Sequence, residues 1–392
     1  MRILVQKYGG SSVASSDLLR SIARKIVEKR KEWDGIVVVV SAMERTTDRL
    51  QELAYTLNPS PPERELDMLL TSGERISMSL LSIAIWAEGS KAISYTGSQS
   101  GIITEDRHTG AKIIEVKAHR IIESLLDGNI VIVAGFQGMS GKREITTLGR
   151  GGSDTTAVAL AEALGAEQCE IYTDVPGVFD GDPRIIKDVS KLDRLTYDEM
   201  LELTYSGAKI VHPRAIELAK ANKIPLIILS AHSSEKGSVV IEKDAEMEES
   251  RITGITSQPV LFIKFGFKDE KELESLMKKL QQNKIETSQL HTASGLFTCW
   301  TPVSEERRLE NLADITVIRD YAAITMVGKG FARSMELIRQ LLNFLRTRRI
   351  RPAQLFVSPI SVKFLVPRAE EKNLVKELHA KFIQRRKRFE KG

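Results

Sequence analysis

The sequence predicts an α/β fold, a mainly parallel sheet sandwiched by helices, followed by two small α+β units of ferredoxin-like plan. Three observations carry the prediction. Between residues 1 and 243, short β-branched runs alternate with longer amphipathic ones. The short runs are apolar throughout rather than at every second residue, which marks strands buried on both faces. Beyond the charged stretch EKDAEMEESR (242–251) the pattern changes to two successive β-α-β-β-α plans.

In chain order, ILVQK (3–7), GIVVVVSA (35–42), IVIVAG (130–135), EIYT (170–173) and PLIILS (225–230) read as buried strands. Apolar residues recur at helical spacing over 16–32, 64–87, 111–126, 154–164 and 212–222. Strand–helix alternation of this kind places ligands beyond the carboxyl ends of the strands. A linker is expected at 244–254. The first small unit, 255–314, opens with PVLFIKFGF and carries a helix at 269–282. The second, 315–392, carries helices at 331–346 and 367–383.

Composition bounds the function. With 392 residues, 42% hydrophobic and 28% charged, the chain has length for two or three domains and a sizeable core. Its net charge of +5 is small. The basic runs RTRRIR (346–351) and RRKRFEK (385–391) hold a single aromatic between them, Phe389, and read as solvated helix ends, so no nucleic-acid partner is expected. Cys169 and Cys299, each in an apolar neighbourhood, read as inert buried thiols. No uninterrupted apolar run approaches the ~20 residues of a membrane span, and RILVQKY passes straight into a glycine turn, unlike a secretory signal. No membrane partner and a cytoplasmic location are expected.

The chemistry concentrates in glycine loops after strands. TLGRGGSDTT (147–156) sets Arg150 among Gly149, Gly151 and Gly152, ahead of an Ala-rich helix that Ser153 or Asp154 is placed to cap. Glycines admit a ligand to the backbone, the helix start offers N–H groups to an anion, and arginine matches carboxylate or phosphate. A plain turn into a buried helix has the same local signature. Lys7, followed by Tyr8, Gly9 and Gly10, reads as a phosphate clamp at the end of the first strand, without Walker spacing. SGERIS (72–77) places Glu74 at a helix head, either as a favourable dipole charge or as a partner for a ligand ammonium. TDVPGVFDGDPR (173–184) is a turn-rich loop or a wrap for a nucleotide and its metal. SGAKIVHPR (206–214) presents Lys209, and its His212 reads as a helix cap or packing residue rather than a base. No Ser/His/Asp order or zinc spacing appears.

The series KYGGSSV, SAMERTTDRL, SGERIS, TGSQSGIIT, TLGRGGSDTTA, TDVPGVFDGDPR and SGAKIVHPR, in this order, resembles the aspartokinases of the amino-acid kinase superfamily across residues 1–243. The two units after residue 250 look like the paired ACT regulatory domains of that family, where the second unit is usually inserted in the first; the last segment is then expected to return and complete unit one. The resemblance implies transfer of the γ-phosphoryl group of MgATP to the side-chain carboxylate of L-aspartate, the first step toward lysine, threonine and methionine, with ATP and Mg²⁺ required and a homodimer formed through the ACT units.

The resemblance also assigns roles. Lys7 would bind the β- and γ-phosphates, with Tyr8, Gly9 and Gly10 at the nucleotide and the glycines donating N–H groups. Ser41 and Thr47 would line the aspartate pocket. Glu74 would hold the substrate ammonium and Arg150 its α-carboxylate, assisted by Ser153. Asp154 would position the reacting centre through Lys7 or through the metal. Thr173, Asp174, Phe179, Arg184 and Lys209 would surround ATP. No metal cluster made by protein side chains is expected. In the regulatory half, KFGFKDEKELESLMKKL (264–280) lacks the proline–glycine turn and small residues of an effector site, and GKGFARSMELIRQLL (328–342) keeps glycine but no proline. Feedback inhibition by lysine or threonine and an ACT pair kept only for dimerisation both stand. Two other classes are weighed: a kinase of the same fold acting on an acid such as acetylglutamate, and a catalytically silent amino-acid sensor.

Overall fold

The computed structural model describes residues 1–233, 235–242, 252–310, 312, 315–331 and 335–384. The chain forms two compact units: Met1–Val178, Lys191–Thr204 and Lys209–Ala245 make the first, while Phe179–Ser190, Tyr205–Ala208 and Glu246–Gly392 make the second. The first unit is therefore not one continuous block. Two short segments within residues 1–243 belong to the second.

The first unit opens with β1 (Ile3–Tyr8), α1 (Ser16–Lys29), β2 (Gly35–Val40), α2 (Thr46–Leu57), α3 (Glu63–Leu70), α4 (Ser72–Ala87) and β3 (Ala92–Tyr95). There follow β4 (Ile102–Thr104), β5 (Ile113–Val116), α5 (His119–Leu126), β6 (Ile130–Ala134), β7 (Gln137–Ser140) and β8 (Ile145–Thr147). It closes with α6 (Gly152–Ala163), β9 (Gln168–Thr173), β10 (Arg194–Thr196), α7 (Tyr197–Tyr205), α8 (Pro213–Asn222), β11 (Leu226–Ser230) and β12 (Ser238–Ile241).

An eight-stranded sheet, order β10-β12-β11-β9-β1-β2-β6-β3, holds the unit together. Every pairing in it is parallel except β11 with β12. Parity decides what each strand face does. Leu4, Tyr8, Ile36, Val38, Val40, Ile130 and Ile132 share a core with the buried stripes of α1 and α4. Val5, Val37, Val39, Val131 and Val133, on the opposite face, are also fully buried. Helix α6 is buried on nearly every side, which explains an Ala-rich sequence without a polar stripe.

The structure departs from the sequence expectation at these three places. The helix expected at 64–87 is two helices broken at Thr71. Taken together, Glu63–Ala87 has the length and apolarity of a membrane span, though 44% of its most apolar window is buried within the protein, and α4 packs on α1 and the sheet. The helix expected at 111–126 starts at His119, because residues 113–116 form β5 of a small sheet, order β5-β4-β7-β8. Helix α2 was not foreseen: none of its residues is buried, so no core stripe marks it.

The second unit contains β13 (Ile252–Gly266), α9 (Glu270–Gln282), β14 (Ser288–Ala293), β15 (Leu296–Pro302), α10 (Glu306–Leu309), β16 (Thr316–Gly328), α11 (Met335–Thr347), β17 (Leu355–Val357), β18 (Ser361–Pro367) and α12 (Glu371–His379). Its strands form one antiparallel sheet, β14-β15-β13-β16-β18-β17. The long strands β13 and β16 pair from Ile252↔Gly328 to Lys264↔Thr316 and serve both β-α-β-β-α repeats. Ile255, near the start of β13, lies in the core of the second repeat, whereas Leu261 and Ile263 lie in that of the first. The last segment packs on the start of β13, where Leu374, Val375 and Leu378 of α12 share a core with Ile255, and β18 lies between β16 and β17. Most of the expected linker and the basic run at 385–391 lie outside the described residues. Cys169 and Cys299 are buried free thiols, and burial pushes the Cys299 thiol up to about 12.

Candidate active site

The site is built at the carboxyl ends of β1, β2, β6 and β9. Lys7 shares the strand face of Val5, so its side chain turns toward α6, where its Nζ lies 2.7 Å from Asp154 Oδ1. Both side chains are nearly buried, at 13% and 11% exposure, so this pair is held much more firmly than a surface ion pair. The second Asp154 oxygen accepts the His212 N–H at 3.2 Å. A Cβ on Gly9 would lie 3.5 Å from Lys7 Nζ, so glycine leaves room beside the ammonium. The Gly9 N–H points at the Tyr172 carbonyl, at 3.4 Å, rather than freely outward.

Tyr8 has the opposite parity. Its ring is fully buried and stacks on Tyr172, centroids 4.4 Å apart, so no more than its backbone faces a ligand. The loop after β1 is also not itself a helix start: α1 begins at Ser16, capped by Ser15.

Ala42, just past β2, is where the next groups converge. A Cβ on Gly10 would meet the Ala42 carbonyl at 2.7 Å, and one on Gly73 would meet the Ala42 Cβ at 2.8 Å. Glycine at both positions therefore draws the first loop and the head of α4 against the end of β2. Glu74 follows in the first turn of α4. Its Oε1 accepts the Ala42 N–H at 3.2 Å, and its Oε2 is buried without a partner. Burial pushes the carboxyl up to about 7. Ser41 donates its N–H to the Tyr8 carbonyl, and Thr47 is the second residue of α2; both are half-exposed.

The loop 147–152 ends in α6 with Gly151, at φ 68°, as its N-cap. The expected capping by Ser153 or Asp154 does not occur, because the helix starts ahead of both and no side chain caps it. Asp154 faces Lys7 instead. A Cβ on Gly135 would overlap Ser153 Oγ at 2.7 Å, which seats α6 against the end of β6. Ser153 is buried, and Arg150 is exposed between two left-handed glycines, Gly149 and Gly151. His212 caps α8, its Nδ1 accepting the Arg214 N–H, as expected for a structural histidine.

Thr173 and Asp174, at the end of β9, and the exposed Lys209 belong to the first unit; the Thr173 hydroxyl donates to Asp174 at 2.9 Å. Phe179 and Arg184 belong to the second unit. Arg184 pairs locally with Asp182 at 2.9 Å. Sequence reasoning missed Arg214 as a structural clamp: its guanidinium donates to the carbonyls of Leu148 and Ala111. The residue lay inside a quoted motif, but nothing local named its acceptors.

Comparison with known proteins agrees with this geometry. The family model described as Amino acid kinase family matches residues 2–230. The chain is 39% identical over 407 residues to the aspartokinase of Corynebacterium glutamicum, a match covering 97% of this chain and 96% of that protein. It is 52% identical to the aspartokinase of Mycobacterium tuberculosis over 258 residues, which span 65% of this chain and 61% of the mycobacterial protein. Among solved structures, E. coli aspartokinase III in complex with aspartate and ADP matches with a TM-score of 0.81 at 22% identity, covering 97% of this chain and 99% of that one. That last likeness is one of fold.

Proposed function

The chain belongs to the aspartokinases of the amino acid kinase family, and from that premise we propose that it transfers the γ-phosphoryl group of MgATP to the side-chain carboxylate of L-aspartate, giving 4-phospho-L-aspartate and ADP. The observation that carries the reading is Glu74. A buried carboxylate with one oxygen lacking any partner is costly unless a cation completes it. An amino-acid ammonium is a cation of the right size, and acetylated acids do not offer one.

The nucleophile needs no general base, because a carboxylate of ordinary pKa ~4 is ionised at neutral pH. One of its oxygens bonds to Pγ as the bond from Pγ to the β-phosphate oxygen breaks, and ADP leaves with that electron pair. The task of the protein is to bring two anions together, which is positioning and electrostatics. Lys7 supplies positive charge to the β- and γ-phosphates, and Asp154 holds its ammonium in place. No side chain caps the first turn of α6; its Gly152 N–H is held by the Gly149 carbonyl, and the N–H groups of Ser153 and Asp154 that follow are placed to meet a phosphate. Arg150 takes the α-carboxylate, with Ser153, Ser41 and Thr47 lining the pocket. Thr173, Asp174 and Lys209 border the nucleotide.

The donor set suits magnesium that arrives on the nucleotide. No group of three His, Cys, Asp or Glu among the described residues is placed to hold a metal, and Asp154 is already engaged by Lys7. Asp174, exposed and bonded only to the neighbouring hydroxyl in the described contacts, is the carboxylate free to add one ligand to a phosphate-held ion. Such an ion neutralises phosphate charge. Cytoplasmic placement and a homodimer through the ACT-like repeats complete the proposal, the open edges β14 and β17 supporting the latter.

An ADP-release assay tests it. L-aspartate should support turnover, and N-acetyl-L-aspartate and N-acetylglutamate should not. Lys7→Ala should lower kcat by ~10³ or more, with unchanged far-UV circular dichroism. Near-normal kcat in that variant overturns the assignment.

A further inference from the structure

Asp67, on α3, is wholly buried and plays no part in the mechanism above. Every group bonded to its carboxylate is a donor. Oδ1 accepts from the Thr147 hydroxyl at 2.6 Å and the Thr109 N–H at 3.1 Å. Oδ2 accepts from the Thr147 N–H at 3.1 Å, the same Thr109 N–H at 3.2 Å, and His108 Nδ1 at 2.8 Å. One carboxylate thus fastens α3 to two chain segments 42 and 80 residues away.

Both segments frame the arginine loop. Thr147 ends β8, three residues before Arg150, and its carbonyl accepts the Ala111 N–H at 2.8 Å. A Cβ on Gly149 would stand 3.5 Å from Gly110 Cα and 3.6 Å from the Thr109 carbonyl, so the two loops lie in contact. Arg214 closes the far side through the carbonyls of Leu148 and Ala111. The foot of the loop is fixed at N–H, carbonyl and side chain, while the Arg150 guanidinium stands exposed.

We propose that Asp67 is a positioning residue for amino-acid recognition: its buried carboxylate pins Thr147 and Thr109 so that Arg150 is presented in one geometry to the substrate α-carboxylate. The proposal rests on the role given to Arg150 above. Removing a carboxylate from water is expensive, and an apolar side chain would fill α3 at lower cost. Its return here is a recognition loop whose ordering is complete before the substrate arrives.

Asp67→Asn keeps the volume and turns amide hydrogens toward N–H and O–H donors. The expected result is an aspartate KM at least tenfold higher, an ATP KM within twofold of the parent, and kcat at saturating aspartate within threefold. In an Arg150→Ala background the same change should add less than twofold to the aspartate KM, because its route through Arg150 is gone. Three outcomes separate the possibilities. If Arg150→Ala alone leaves the aspartate KM unchanged, the role of Arg150 is wrong. If Arg150→Ala raises it and folded Asp67→Asn does not, the positioning role fails. If Asp67→Asn raises both KM values together, or multiplies with Arg150→Ala, Asp67 is merely architectural and the proposal is overturned. Thr147→Val and Thr147→Ser decide the matter if Asp67→Asn does not fold. Loss of the hydroxyl should raise the aspartate KM threefold or more and serine should restore it; equal values for the two variants overturn the proposal.

Discussion

Two buried carboxylates, one in each unit, are handled in opposite ways. Glu74 in the first unit has an oxygen with no partner and a carboxyl pushed up to about 7. Asp180 in the second unit is fully enclosed and engaged: its Oδ1 accepts from His379 Nε2 at 2.8 Å and the Ser190 N–H at 2.9 Å, and its backbone carbonyl takes the Ile255 N–H. The first arrangement stores a cost that a ligand relieves. The second ties the segment 179–190 to α12 and β13 and asks nothing of a ligand. Active sites keep such unfinished groups, and structural cores complete them.

The comparison breaks most visibly if the second carboxylate is made to resemble the first. His379→Ala removes a fully buried partner of Asp180. We expect a loss of about 2–4 kcal/mol in the stability of the second unit. Hydrogen exchange should show α12, the start of β13 and residues 179–190 losing protection together. The aspartate KM should stay within twofold, since Glu74 and Arg150 belong to the other unit. Asp180→Asn combined with His379→Ala should cost less than the sum of the two. Strict additivity would dissolve the pair as a structural unit.

Glu74 offers the next test, through pH. Its carboxyl binds a proton more tightly in the folded protein than in the unfolded chain, whose ordinary value is 4.5. Stability therefore declines as pH rises from 4.5 toward about 7, and the burial cost is fully present above that window. Glu74→Gln should raise stability at pH 8 by about 1–3 kcal/mol, with the gain vanishing near pH 4. The same ionisation governs recognition. The aspartate KM of the parent should rise roughly tenfold per unit of pH below 7, the limit when only the ionised form binds. Glu74→Gln should show a high KM without that slope. A parent KM that is flat from pH 6 to 8 would remove the ammonium from Glu74.

These contrasts were unequally legible. The central strands declared themselves because unbroken runs such as Ile36–Val40 have no reading except burial on both faces. Lys7, the glycine loop around Arg150 and Glu74 were visible because glycine beside charge is a local signature. Strand β5 was not, since Ile113, Ile114 and Val116 also continue the spacing of α5, and three or four residues do not separate the two periods. Asp67 was silent for a different reason. One aspartate in an apolar run looks like any helix residue, and its partners are distant in sequence. The double service of β13 and β16 was hidden because one uninterrupted strand gives no sign that its halves belong to different cores.

The smallest predicted effect concerns α9, where the resemblance placed an effector site and the sequence departs from it. The structure supplies a reason for the departure. Asp269 caps the helix by accepting the Glu272 N–H at 3.0 Å, and Glu272 reaches back to the Lys268 N–H at 2.8 Å. This cap takes up the Glu272 N–H, a first-turn donor that an amino-acid carboxylate would need, and it adds two negative charges where that carboxylate would sit. Asp269→Ala should therefore cost about 1 kcal/mol of local stability, the usual worth of a cap. It should leave kcat, the aspartate KM and any response to lysine or threonine within twofold. A change in amino-acid inhibition on losing Asp269 would mean that this helix start, closed by its own side chains, still belongs to an effector site, and the line between a unit finished by the chain and one finished by a ligand would have to be redrawn.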